Sequence, residues 1–75
     1  MHLEKMLEDA KARTGQEPEL LAEETVTWSG SDLGLPEPGM IYTCAMTPGY
    51  VVTVKCGSDT LTYHTDMHGN FKFAP

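Results

Sequence analysis

A chain of 75 residues, 40% of them hydrophobic, is large enough for one small domain and too apolar for a disordered tail. Its formal net charge is −6, because eleven acidic residues stand against five Lys and Arg. A surface of that sign repels phosphate backbones and anionic membranes, so neither nucleic acid nor membrane is an expected partner. We interpret residues 1–75 as a single domain.

The acidic residues are concentrated in the first half of the chain. Residues 1–38 contain nine acidic and three basic residues, whereas residues 39–75 contain two of each. Six acids and no base lie between Glu17 and Glu37. This acidity either serves solubility alone or complements a basic patch on a partner protein.

The first predicted element is a helix over residues 2–14. An apolar stripe with helical spacing is formed by Leu3, Met6, Leu7 and Ala10. Gly15 suits the left-handed cap that commonly ends a helix. The stripe therefore predicts one helix face that packs on the rest of the domain.

Five strands are predicted after the helix. The first covers residues 20–28, where β-branched residues precede Trp28. The others are predicted at residues 40–46, 51–56, 61–65 and 71–74. The pattern predicts an α+β fold, in which one N-terminal helix packs on a small antiparallel meander sheet of four to five strands.

The last four strands are separated by predicted tight turns at Pro48-Gly49, Ser58-Asp59 and His68-Gly69-Asn70. If Gly57 faces Thr60 across the second turn, one side of the sheet is mainly polar and includes His64. The other side collects the apolar residues Val52, Val54, Cys56, Leu61 and Tyr63. We expect the helix stripe to cover this apolar side.

The cysteines do not join a recognisable catalytic arrangement. Cys44 and Cys56 are not expected to face each other on adjacent strands, so no disulfide is predicted and a reducing compartment fits. Cysteine catalysis needs a nearby imidazole, and His64 is expected on the side of the sheet away from Cys56. We therefore expect no enzymatic activity and no cofactor.

A metal or small-ligand site is the alternative function. His64, Asp66 and His68 offer three nitrogen and oxygen donors within a short segment. The same residues also fit a surface histidine, an aspartate that starts a turn and a histidine on that turn. The C-x-x-C spacing of structural zinc sites is absent.

The predicted loop over residues 29–39 is the segment most suggestive of function, because ordered loops of this length often carry it. Pro36 and Pro38 stiffen the segment. In one interpretation Trp28, Leu33 and Leu35 fold back and close an open end of the core. In the other, the run from Leu33 to Pro36 is held out as a rigid recognition segment within an acidic rim.

From this loop we predict a non-enzymatic protein-binding module that presents residues 28–39, similar in design to many peptidase inhibitors. The expected partner is another protein, and the pattern leaves the oligomeric state open. The predicted binding residues are Trp28, Leu33, Gly34, Leu35, Pro36 and Pro38.

The expected location is the cytoplasm. The charged start of the chain lacks the apolar region of a secretory signal, and no apolar run approaches the length of a membrane span. This expectation would not hold if the chain were a piece of a longer exported protein.

The run from Trp28 to Gly39, with Tyr42-Thr43, Pro48-Gly49-Tyr50 and residues 63–66, resembles a group of small prokaryotic domains. Their pattern is close to W-P-[DN]-x-[SC]-L-G-[CL]-P-x-P-G followed by a short meander, and the resemblance covers roughly residues 20–69. The group is functionally uncharacterised, so the resemblance implies a fold-sized unit and no activity. Ser29 stands where proline is usual, and Leu35 stands where many members have cysteine, so no role for a loop thiol carries over.

Overall fold

The computed structural model describes residues 3–74, so the predicted helix start at residue 2 lies outside the described range. Within it, helix α1 (Glu4–Thr14) is followed by four strands, β1 (Pro18–Trp28), β2 (Thr47–Cys56), β3 (Asp59–Asp66) and β4 (Phe71–Ala74). The strands pair antiparallel in the order β1-β2-β3-β4. The predicted α+β class, one N-terminal helix on an antiparallel meander, is confirmed.

Helix α1 ends and packs as its sequence predicts. Gly15 adopts the left-handed conformation with φ of 72°, and its N–H donates to the Lys11 carbonyl at 2.7 Å. The helix stripe packs on one side of the sheet, which we call the helix face. The buried cluster between them consists of Leu3, Met6, Ala10, Val52, Val54, Cys56 and Tyr63. Removal of these side chains from water is the main stabilising contribution to so small a fold.

A polar contact fastens the helix to this core. The Tyr63 hydroxyl donates to Asp9 Oδ2 at 2.7 Å, and Arg13 Nε donates to the same oxygen at 2.7 Å. Burial by itself would raise the pKa of Asp9, but the hydrogen bonds from Arg13 and Tyr63 outweigh burial and leave the pKa below its ordinary value. Burial, and then the hydrogen bond to Asp9, raise the pKa of Tyr63, which therefore stays a neutral donor.

The β2–β3 register corrects the predicted turn without changing the sheet faces. Cys56 pairs with Asp59, so the tight turn is formed by Gly57 and Ser58 instead of Ser58-Asp59. Gly57 supplies the positive φ, 63°, that this turn requires. The predicted pairing is displaced by two residues, and side chains alternate with a period of two. The predicted apolar side is therefore confirmed.

The predicted strand at residues 40–46 is wrong. These residues lie in a long loop, residues 29–46, that connects β1 to β2. Because Trp28 pairs directly with Thr47, β1 and β2 are neighbours, and β3 occupies the other side of β2. The position between β1 and β2 that the predicted meander gives to residues 40–46 is therefore closed.

The predicted turn at Pro48-Gly49 is also wrong, since both residues lie within β2. Pro48 pairs with Thr27 on β1, but the pairing of β2 with β3 begins only at Gly49. A residue without an N–H is tolerated where a strand has a neighbour on one side only. Glycine is required at position 49, because a Cβ there would clash with the Thr65 carbonyl oxygen.

Candidate functional site

The long loop packs on the side of the sheet opposite α1, which we call the loop face. The register pairs His64 with Val51 on β2 and with Lys72 on β4, so these three residues share that face. Trp28, at the end of β1, stacks on His64 from the same side. The sheet therefore carries a hydrophobic core on one face and a mixed aromatic and polar layer on the other.

Trp28 and His64 form the base on which the loop rests. The Trp28 indole Nε1–H donates to the Thr65 carbonyl at 2.8 Å, and the His64 ring stacks on the indole with centroids 4.5 Å apart. His64 Nδ1 lies 2.7 Å from the Leu33 carbonyl oxygen. Because a carbonyl only accepts, Nδ1 carries the proton and donates to Leu33.

Lys72 forms a second attachment from β4. Its Nζ donates to the Leu35 carbonyl at 2.9 Å and to the Tyr42 hydroxyl at 3.0 Å. The ammonium group also lies 4.5 Å from the centroid of the Tyr42 ring. The Tyr42 hydroxyl in turn accepts the N–H of Glu37 at 3.1 Å. One lysine therefore ties both limbs of the loop to the sheet.

The turn at Leu33 and Gly34 has left-handed backbone at both residues, with φ of 56° and 75°. Asp32 stabilises it, since Oδ1 accepts the Gly34 N–H at 3.1 Å. A left-handed leucine costs on the order of 1 kcal/mol or more, and such a conformation persists only where its surroundings impose it. Here the Leu33 side chain is 3% exposed and its carbonyl is held by His64.

The two limbs of the loop are also joined to each other. Ser31 N–H donates to the Thr43 carbonyl at 3.0 Å, and Thr43 N–H donates to Ser31 Oγ at 3.0 Å. Further along, Met40 N–H donates to the Glu37 carbonyl at 3.2 Å. Residues 36–41 therefore form the tip of a loop that is closed by hydrogen bonds below it.

The tip carries apolar side chains that face solvent. Ile41 is 97% exposed, and Met40, Pro36 and Pro38 are also exposed. A groove of about 620 Å³ runs beside the tip between Leu35 and Pro36 of the loop and Phe71 and Phe73 of β4. Exposed aliphatic side chains next to a groove are characteristic of surfaces that contact other proteins.

The predicted binding residues divide into a base and a surface. Leu33 is buried, and Trp28 and Leu35 are half-buried, whereas Gly34, Pro36 and Pro38 are exposed. Trp28 and Leu33 lie on the loop face, outside the buried cluster under the helix, so they support the loop instead of closing the core. The inner residues of the loop therefore pack on the sheet without closing the core, and its outer residues are exposed.

Sequence reasoning missed Lys72, Tyr42 and Ile41. Strand alternation between Phe71 and Phe73 could have assigned Lys72 to the loop face, but not its contact with Leu35. The sequence pattern places Tyr42 and Ile41 in a strand. In a strand, Tyr42 would not hold the loop to the sheet and Ile41 would not lie at the loop tip. No local pattern indicates the Ser31–Thr43 contact, because it joins two limbs of an irregular loop.

The residues of the predicted metal site have other partners. Asp66 accepts the N–H groups of His68 and Asn70 at 2.8 and 3.0 Å through Oδ1, and the Asn70 amide at 2.8 Å through Oδ2. Burial would raise the pKa of Asp66, but these hydrogen bonds lower it overall. His64 is directed to Leu33. Within residues 3–74 no three His, Cys, Asp or Glu side chains are grouped as metal ligands.

The cysteines are free and lie in different environments. Cys56 is buried in the cluster under the helix, whereas Cys44 is exposed on the long loop. His64 lies on the loop face, so the sheet separates its imidazole from the Cys56 thiol. Within the described part of the chain, no helix has the length and apolar character needed to cross a membrane.

Comparison with known proteins assigns the chain to a family. No curated protein and no solved structure matches it at a significant level. One family model does match, over residues 3–73, which include the helix, nearly all of the sheet and the entire loop. Because this match covers almost the whole sequence, the chain belongs to the family described as a domain of unknown function, DUF8738.

Proposed function

We propose that this domain is a non-enzymatic protein-binding module that presents the 28–39 loop, together with Met40 and Ile41, to a partner protein. The observation that carries the proposal is the contrast between the two sides of the loop. Its inner side is fixed by His64 at Leu33 and by Lys72 at Leu35. Its outer side exposes prolines and aliphatic side chains with no covering element among residues 3–74.

Rigidity of this kind favours binding. A flexible loop loses conformational entropy when a partner orders it, and a loop already held in place loses less. Pro36 and Pro38 restrict their own φ and the conformations of Leu35 and Glu37. The groove between the loop and Phe71 and Phe73 gives a partner side chain a partly apolar site next to the tip.

The proposal includes the inhibitor-like mode expected from the sequence, in which a stiff loop occupies the binding cleft of a peptidase. It also includes a reducing, cytoplasmic location, which the free thiols of Cys44 and Cys56 support. The separation of Cys56 from His64 supports the non-enzymatic part of the proposal.

The test uses substitutions at exposed positions of the loop. Leu33→Asp is unsuitable because it would place a carboxylate at a buried site and unfold the loop. The immobilised domain is used to capture proteins from cells that express it, and each captured protein is purified and titrated against the domain. We expect Ile41→Asp to weaken a specific partner by about tenfold or more, as for a central apolar contact. Ala12→Asp, the same charge change on the exposed side of α1, is the matched control.

The outcomes separate the parts of the proposal. A partner bound equally by wild type and Ile41→Asp would show that the loop tip is not the binding surface. Titration of a panel of purified serine, cysteine and metallopeptidases tests the inhibitor-like mode directly. If the domain inhibits none of them, or is cleaved rapidly between residues 36 and 41, that mode is wrong.

A further inference from the structure

Strand β1 has an open outer edge. It is the first strand of the sheet order, and within residues 3–74 no strand pairs with its outer side. Every residue from Glu19 to Thr25 is exposed. An edge strand of this kind presents backbone N–H and C=O groups to which another extended segment can add.

The first half of β1 adds apolar side chains to this edge. Leu20 is 44% exposed and Leu21 is 50% exposed. Leu20 pairs with Val54, which places it on the helix face, while Leu21 occupies the irregularity between Leu20 and Ala22. Helix α1 buries Val54 but leaves Leu20 outside the core cluster.

A groove continues from this edge along the helix. It has a volume of about 430 Å³ and lies between α1 and the start of β1. Leu7 and Pro18 form its apolar part, and Glu4, Glu8, Lys11 and Glu17 form its polar part. Lys11 pairs with Glu17 at 2.5 Å, so the cation of the groove is already matched by one of its carboxylates.

The charge of this surface selects the partner. β1 carries Glu19, Glu23 and Glu24 and no basic residue. Lys55 of β2 lies opposite Glu19, whereas Val51 lies opposite Glu24. The groove beside it adds three glutamates and only the one lysine. A second copy of the chain would bring the same three glutamates to the shared ladder, where like charges destabilise strand pairing. A basic strand would instead form favourable cross-strand pairs.

We propose that the edge of β1 accepts an extended segment of another protein, rich in Lys or Arg alternating with apolar residues, as an added antiparallel strand. Its backbone pairs with β1. Its cations lie on the loop face, beside Glu19 and Glu24, and its apolar side chains lie on the helix face, toward Leu20 and the groove at Leu7. This surface is separate from the long loop, and the inference does not depend on the proposed function of the loop.

The test uses a synthetic peptide of alternating Lys with Val or Thr, acetylated and amidated at its ends, titrated into the isotopically labelled full chain. We expect NMR shifts along Glu19–Thr25 and slowed hydrogen exchange at alternate amides of β1. Glu24→Lys, opposite the uncharged Val51 of β2, replaces an attraction with a repulsion and should weaken binding about fivefold. Glu37→Lys, the same charge change on the distant loop, should leave the affinity unchanged.

Two control peptides test the two parts of the proposal. A peptide with Glu in place of Lys should not bind, and a peptide N-methylated on alternate residues should lose binding because it cannot complete the ladder. Shifts that fall outside β1, equal binding of the N-methylated peptide, or equal effects of Glu24→Lys and Glu37→Lys would each overturn the proposal. Sedimentation showing dimers that the peptide disrupts would identify a second copy as the occupant and would likewise overturn it.

Discussion

The imidazole of His64 stacks on the indole of Trp28, with ring centroids 4.5 Å apart and ring planes at 21°. Each ring also makes a hydrogen bond to a backbone carbonyl, Trp28 to Thr65 and His64 to Leu33. The pair thus connects the end of β1, the middle of β3 and the turn of the long loop. Its replacement should loosen the loop before it affects the helix face.

His64→Phe is expected to retain a stacked ring but to lose the donor to Leu33. The Leu33 carbonyl would then lack its partner, at a cost of about 1–2 kcal/mol in the free energy of unfolding. Urea unfolding measures this cost, and hydrogen exchange at the amides of Leu35 and Met40 should become faster. His68→Phe, on the exposed turn, is the control and should change stability by less than about 0.5 kcal/mol. Equal effects of the two variants would show that the Leu33 contact contributes little.

Gly34→Ala should destabilise the domain more than Gly39→Ala. Both glycines are left-handed, with φ of 75° and 80°, so both variants incur a backbone cost of about 1 kcal/mol. Only at Gly34 would the new Cβ meet a neighbour, Trp28 Cζ3 at 3.2 Å, whereas nothing lies within 4 Å at Gly39. Thermal unfolding of the two variants isolates the Trp28 contact. The interpretation fails if their melting temperatures are the same.

Tyr63→Phe should reduce both stability and its dependence on pH. The variant keeps the ring contacts with Phe71 and Phe73 but loses the hydroxyl bond to Asp9, worth about 1 kcal/mol. Since the folded-state pKa of Asp9 is lowered, its contribution is present above the unfolded pKa of about 3.9 and is lost as pH falls through the folded value. Without the Tyr63 donor the pKa of Asp9 should rise toward its ordinary value. Unfolding free energies between neutral and strongly acidic pH should therefore fall less steeply than in the wild type.

Asp66→Asn should be most damaging at neutral pH. The introduced side chain would place an amide N–H₂ opposite the Asn70 amide, which now donates to Asp66 Oδ2, and would remove a charge-assisted acceptor. We expect a loss of about 1–3 kcal/mol in the free energy of unfolding. Because the pKa of Asp66 is lowered in the fold, the wild type loses this stabilisation as pH falls below about 4, and the two curves should converge.

The control for that variant is Asp59→Asn, which removes the same charge from the exposed first residue of β3. It should stay within about 0.5 kcal/mol of the wild type at neutral pH. If the Asp66→Asn difference remained constant from neutral to acidic pH, the hydrogen bonds of the β3–β4 turn would not account for it.

The amino-acid sequence by itself determined the elements that depend on local patterns. The spacing of Leu3, Met6 and Ala10 predicted the buried helix stripe, and Gly15 predicted its end. The alternation in β2 and β3 predicted the buried face even though the pairing was displaced by two residues. These inferences succeed because helical and strand periodicity belong to neighbouring residues along the chain.

Only the tertiary structure decided how the long loop is built. Residues 40–46 have strand-like composition but lie in the loop, because the pairing of Trp28 with Thr47 closes the position between β1 and β2 that the pattern gives them. The contacts of Lys72 with Leu35 and of His64 with Leu33 join residues far apart in the sequence. Such contacts depend on which strands become neighbours, and no local pattern of residues encodes that choice.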